Sequence, residues 1–135
     1  MKLRKTGVFV VAFDVFFSVA CVAATAPPGS FAGNWSGESL CTIKDSPCHD
    51  EHVIYRVTEP NAAGKLKIQM DKVVDGQPEE MGTVDCTYDR SASNVTCSMN
   101  NGTWKFTVTG KKMDGILTLS NGRLYRRISV TRDES

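Results

Sequence analysis

The sequence predicts an all-β domain of eight antiparallel strands in an up-and-down meander. The meander closes into a barrel and sits behind a cleavable export signal. Three observations predict this. Apolar residues recur with period two in successive runs between residues 34 and 131. Gly, Asn and Asp turn chemistry separates the alternating runs. No 3.6-residue period persists beyond the apolar N-terminus. Short connections make consecutive strands neighbours, and closure removes the bare sheet edges.

The first element is the export signal, residues 1–26. Lys2, Arg4 and Lys5 form a basic start, and Val8 to Ala24 is almost entirely apolar. Ala24-Thr25-Ala26 then fits a small-residue processing site, with the cut after Ala24 or a few residues later. Asp14 interrupts the apolar run and makes it a poor membrane span, so no span is expected in the mature form. Val19-Ala20-Cys21 also fits a lipobox, which would anchor the mature chain by a lipid at Cys21.

Residues 27–32 read as a linker and residues 33–132 as the barrel domain. Without residues 1–26 the chain carries 13 basic and 14 acidic residues, scattered along its length. A near-neutral chain with no basic run lacks the electrostatic footprint of a nucleic-acid binder.

The strands are expected at 34–41, 52–59, 65–74, 80–89, 94–99, 103–109, 115–120 and 123–131. Leu66, Ile68 and Met70 alternate with polar residues, as do Val84, Cys86 and Tyr88, and then Trp104, Phe106 and Val108. Pro60 to Gly64, Asp75-Gly76, Asn101-Gly102, Asp114-Gly115 and Asn121-Gly122 mark the turns.

Cys41, Cys48, Cys86 and Cys97 make an even set in an exported chain, which implies disulfides. A loop centred near Ser91 and Ala92 sets Tyr88 opposite Val95 and Cys86 opposite Cys97, with Val84 near Met99. Directly opposed cysteines lie within bonding range. Cys41–Cys48 then closes a short loop around Asp45-Ser46-Pro47.

Gly33-Asn34-Trp35-Ser36-Gly37 opens the first strand. Here the chain resembles the calycin group of barrels: the lipocalins, fatty-acid-binding proteins and avidins. The resemblance covers the opening Gly-x-Trp, the strand count, the domain length and a last-strand Arg set against that Trp. It implies that Trp35 and Arg126 form a structural plug. Arg126 shares the inward parity of Leu124, Ile128 and Val130, so stacking on the Trp35 indole would give its charge a partner, with Arg127 outside. The stretch from Leu40 through Glu51 is also similar to a segment of small exported bacterial proteins of unknown function.

No hydrolase elbow, phosphate-binding loop or Ser/His/Asp set is legible, and the chain is expected not to be an enzyme and to need no cofactor. Glu79 and Glu80 are adjacent and diverge on a strand. His49 and His52 sit three residues apart at a strand start, which does not aim two imidazoles at one metal, and no metal site is expected.

Three function classes remain. In the first, the barrel binds a small apolar or amphipathic molecule in its interior, with Tyr55, Ile68, Met70, Tyr88, Trp104 and Phe106 as lining. In the second, it meets an exported protein partner. Small exported barrels with this opening and a local disulfide resemble periplasmic inhibitors of metalloproteases, whose N-terminal stretch enters the target. That resemblance gives residues 27–32 the corresponding part. A structural or stress-related role in the cell envelope is a third option.

Overall fold

A computed structural model describes Ala20 and residues 30–134. Apart from Ala20, the expected signal, with Cys21, lies outside the described residues. Eight strands follow in chain order: β1 (Gly33–Cys41), β2 (Glu51–Val57), β3 (Lys65–Val74), β4 (Gln77–Asp89), β5 (Asn94–Met99), β6 (Gly102–Thr109), β7 (Lys112–Leu119) and β8 (Leu124–Arg132). Each pairs with the next, and β8 pairs back onto β1, so the sheet is a closed antiparallel barrel.

Alternation drives this closure. Odd residues of β1 and β2 and even residues of β3 and β6 point inward, so one dry face runs round the sheet. Trp35, Tyr55, Ile68, Phe106 and Met113 are fully buried at its centre. Met70 and Trp104 are buried beside them, while Tyr88 is half-buried against the same cluster. Phe31 and Ala32 are buried too, so the core begins two residues ahead of the expected barrel boundary.

Both disulfides form as expected, Cys41–Cys48 and Cys86–Cys97. Tyr88 opposes Val95 and Cys86 opposes Cys97. Val84 and Met99 do not oppose each other, which corrects the expected register at that point. The β4–β5 ladder has four rungs, and Cys86–Cys97 is the one nearest that end. Beyond it Val84 pairs only with Ile68 of β3, and Met99 pairs with Gly102 of β6. The disulfide therefore clamps a fork at which two neighbouring strands separate.

The Asp75-Gly76 turn forms with positive φ at both residues (51° and 78°), as a two-residue hairpin requires. Asp114-Gly115 corrects the sequence reading, because it lies inside β7 and not at a turn. The turn falls instead at Gly110 and Lys111. Gly115 directly opposes Phe106, and a Cβ there would stand 2.4 Å from the Phe106 ring. The glycine is in the strand because the aromatic ring occupies its side-chain space. Gly37 is similar, since a Cβ there would meet the Ser129 carbonyl at 2.3 Å where β1 and β8 close the barrel.

Between Met70 and Asp71 the β3–β4 register shifts, with Met81 as the extra residue on β4. Asp71 is only 3% exposed, and Arg56 and Gln69 hold its carboxylate.

Candidate functional site

The two ends of the barrel differ in chemistry. One end is shut. Trp35 directly opposes Arg132, whose guanidinium lies 4.2 Å from the indole centroid. Arg132 also donates to the carbonyls of Ser30 and Ala32, while Trp35 Nε1 donates to the Phe31 carbonyl at 2.9 Å. Phe31 packs edge-on against Tyr88 with ring centroids 5.2 Å apart. This cluster plugs the end with one cation, one indole and a folded-back turn of chain.

Arg126 is therefore not the stacking partner of Trp35. It opposes Cys41, six residues along β1 from Trp35, and so lies at the other end of the barrel. Parity placed Arg126 inward correctly but could not fix its height. Arg132 has the same parity and the right height, and the sequence reading missed it by ending the last strand at residue 131.

The second end carries the polar residues. Arg126 Nη1 donates to the Ser39 carbonyl (3.3 Å), to Ser39 Oγ (3.2 Å) and to the His49 carbonyl (3.1 Å). Glu51 Oε2 is 3.5 Å from the same nitrogen, and the Arg126 side chain is 11% exposed. Two further side chains complete the cluster. Ser39 is buried, and Tyr55 is fully buried with a hydroxyl that lies beside the Ser39 hydroxyl and closes no well-formed hydrogen bond among the described residues. Burial pushes the Tyr55 phenol well above the ordinary tyrosine range. The Ser39 hydroxyl and the Arg126 charge oppose that shift, and the Glu51 charge adds to it. Ser39 and Glu51 were legible in principle, since they share the inward parity of Trp35 and of Val53 and Tyr55.

A stapled loop, residues 42–50, rims this end. The Thr42 N–H donates to the Tyr125 carbonyl at 3.0 Å, and Thr42 Oγ1 donates to the Leu124 carbonyl at 2.6 Å. The Cys41 N–H donates to Asp50 Oδ1 at 2.7 Å. With the Cys41–Cys48 bond, these contacts fix both feet of the loop. Beside it lies an open groove of about 610 Å³, lined by Thr42, Ile43, Lys44, Asp45, Arg123 and Leu124. A second groove of about 520 Å³ crosses the outer wall of β6, β7, β8 and β1, where Leu40 and Ile116 are exposed.

The two histidines do not converge. His52 faces outward, its Nδ1 3.0 Å from Glu38 Oε1, while His49 precedes β2 and contributes its carbonyl to Arg126. Glu79 pairs with Lys72 at 3.4 Å. Of the six side chains expected to line a ligand site, Tyr55, Ile68 and Phe106 are fully buried. Trp104 stacks on Phe106 with centroids 5.9 Å apart, and its Nε1 lies 2.9 Å from Met99 Sδ. These side chains touch one another and fill the centre. No protein-family model matches the chain, and no curated protein matches it.

Proposed function

We propose that the protein is an exported binding module that recognises a protein partner with the outer surface of its stapled-loop end. The filled interior carries this reading. Five large side chains at the barrel centre have no solvent exposure, while both grooves described above lie on the outside. A loop held at both feet presents its groove with little ordering cost on association. Two disulfides fit a secreted or periplasmic chain, and the closed meander with a last-strand arginine on Trp35 is compatible with a calycin-like barrel. No catalytic role is assigned in this reading. An inhibitor-like N-terminal insertion would have to use residues before 30, because Phe31 is buried and Arg132 grips its neighbours.

One observation favours a small amphipathic ligand instead. The Tyr55 hydroxyl is buried beside Ser39 and Arg126 without a well-formed hydrogen bond among the described residues, and a polar head group would satisfy it. The two readings separate in one experiment on the exported protein. A photoreactive side chain replaces Lys44 in the groove or Lys65 at the opposite end, and native mass is recorded in parallel. The partner reading expects one discrete cross-linked species from position 44 and none from position 65. A retained small molecule with no cross-link at position 44 would replace it with the ligand reading.

A further inference from the structure

We infer that the outer groove across β1, β8, β7 and β6 seats an acidic segment of the protein partner, one that carries apolar side chains between its carboxylates. The inference rests on the partner reading above and adds to it the chemistry of what is recognised.

Strand register builds the groove floor. Leu40 opposes Arg127, Arg127 opposes Ile116, and Ile116 opposes Lys105. One rung across four strands therefore reads apolar, cation, apolar, cation. Leu40 and Ile116 are 46% and 37% exposed, and Arg127 and Lys105 are exposed beside them. Neighbouring strands lie about 4.8 Å apart, so like groups recur roughly every 10 Å along the rung. The groove of about 520 Å³ lies over these four side chains.

Charge selects the partner. The two acids that line the groove sit on the next rung and are already engaged. Glu38 Oε1 lies 3.0 Å from His52 Nδ1, and Asp114 Oδ1 lies 3.2 Å from Lys112 Nζ. Arg127 and Lys105 have no ion-pair partner among the described residues. Toward the stapled loop the first groove adds Lys44 and Arg123, also without an ion-pair partner among the described residues, against Asp45 alone. The uncommitted charge along this wall is thus cationic. Carboxylates on the partner would steer it and fix its register, while Leu40 and Ile116 supply apolar contact.

Two other occupants fit less well. A flat anionic bilayer meets side chains that protrude, whereas a recess shared by four strands takes a chain segment. A second copy could offer only a different surface, such as the β3–β4 hairpin with exposed Val74, Glu80 and Met81. That contact would be head-to-tail and would leave a groove open on each added copy, so it would appear as association that grows with concentration.

The test uses the full exported protein and two synthetic peptides, one repeating leucine-glutamate-serine and one repeating leucine-lysine-serine. Like residues in either recur roughly every 10 Å when extended. Amide chemical shifts are followed residue by residue during titration. The glutamate peptide should move the amides of Leu40, Lys105, Ile116 and Arg127, with an affinity that falls as salt rises, and the lysine peptide should not. Replacing both cations, Lys105→Gln with Arg127→Gln, should weaken the glutamate peptide about tenfold, whereas Arg90→Gln in the turn after β4 should leave it unchanged. The salt dependence of the parent protein decides the matter even if the double variant fails to fold. No shift at these amides, a salt-independent shift or an equal response to the lysine peptide would overturn the inference. So would binding to phosphatidylglycerol vesicles without binding to the peptide, or self-association that the double variant loses. A cross-link from position 44 with no peptide footprint sinks this inference and leaves the partner reading standing. The absence of any cross-link from position 44 sinks the partner reading, and this inference with it.

Discussion

Arg132 lies over the indole of Trp35 across the seam between the last strand and the first, and it grips the carbonyls of Ser30 and Ala32 on either side of Phe31. One side chain thus joins both chain ends of the domain and closes the barrel floor. Removing it would strip the stacking energy and leave two carbonyls short of a donor.

Arg132→Ala should lower stability by about 2–3 kcal/mol, from cation–π loss plus unsatisfied buried acceptors. Arg132→Lys should recover only part of this, because an ammonium lacks the planar fork. Urea unfolding checks the magnitude. Indole fluorescence in a Trp104→Phe background checks the assignment, since Arg132→Ala should shift the Trp35 spectrum and Arg126→Ala should not. A shift caused by Arg126→Ala alone would return Arg126 to the plug.

The two disulfides should differ in consequence. Cys86–Cys97 closes a separation of 11 residues and Cys41–Cys48 one of 7. Chain entropy alone gives about 3 and about 2 kcal/mol respectively. The sharper difference is local. Paired replacement of Cys86 and Cys97 by Ala should open the fork further and speed amide exchange at Thr87 and Thr96, the neighbouring rung. Replacing Cys41 and Cys48 should leave those amides unchanged and loosen residues 42–50.

Gly115→Ala should cost about 1–3 kcal/mol, because the added methyl meets the Phe106 ring in a closed interior. Phe106→Leu should remove that clash, so the double variant should be more stable than additivity allows. Thermal unfolding of the four proteins reads the coupling. A Gly115→Ala variant as stable as the parent would show that the ring is free to move.

Tyr55 supplies a pH test. Its phenol is raised above the ordinary value of 10.0 by burial, while an unfolded chain ionises it near that value. A raised folded-state pKa contributes stability that is complete below the unfolded pKa and is lost as pH rises beyond it. The protein should therefore lose stability steeply above pH 10.0, with Tyr55 as a main contributor. Tyr55→Phe should flatten that loss. At neutral pH it should be near-neutral or slightly stabilising, since the hydroxyl closes no well-formed hydrogen bond among the described residues. Clear destabilisation at pH 7 would show that the hydroxyl bonds to Ser39 or to a bound molecule, and Ser39→Ala separates the two, since it should match Tyr55→Phe in stability only in the first case.

Much of the scaffold was legible because local chemistry repeats it. Leu66, Ile68 and Met70 announce a strand by period two, and Asp75-Gly76 announces its turn. Asp114-Gly115 misled for a physical reason. The same dipeptide suits a turn and also suits a strand where a cross-strand ring needs the space, and only the facing Phe106 distinguishes the two. Arg126 misled because parity gives the side of a strand and not the height at which it meets its neighbour.

By itself the sequence determined the eight strands, their inward faces and both cysteine pairings, since each follows from alternation and short loops along the chain. Only the tertiary structure decided which arginine caps Trp35, where β4 and β5 part, and that the centre is filled. Those features depend on the stagger with which β8 meets β1 and on how rings from distant strands share one volume. Neither quantity is written in any single stretch of sequence.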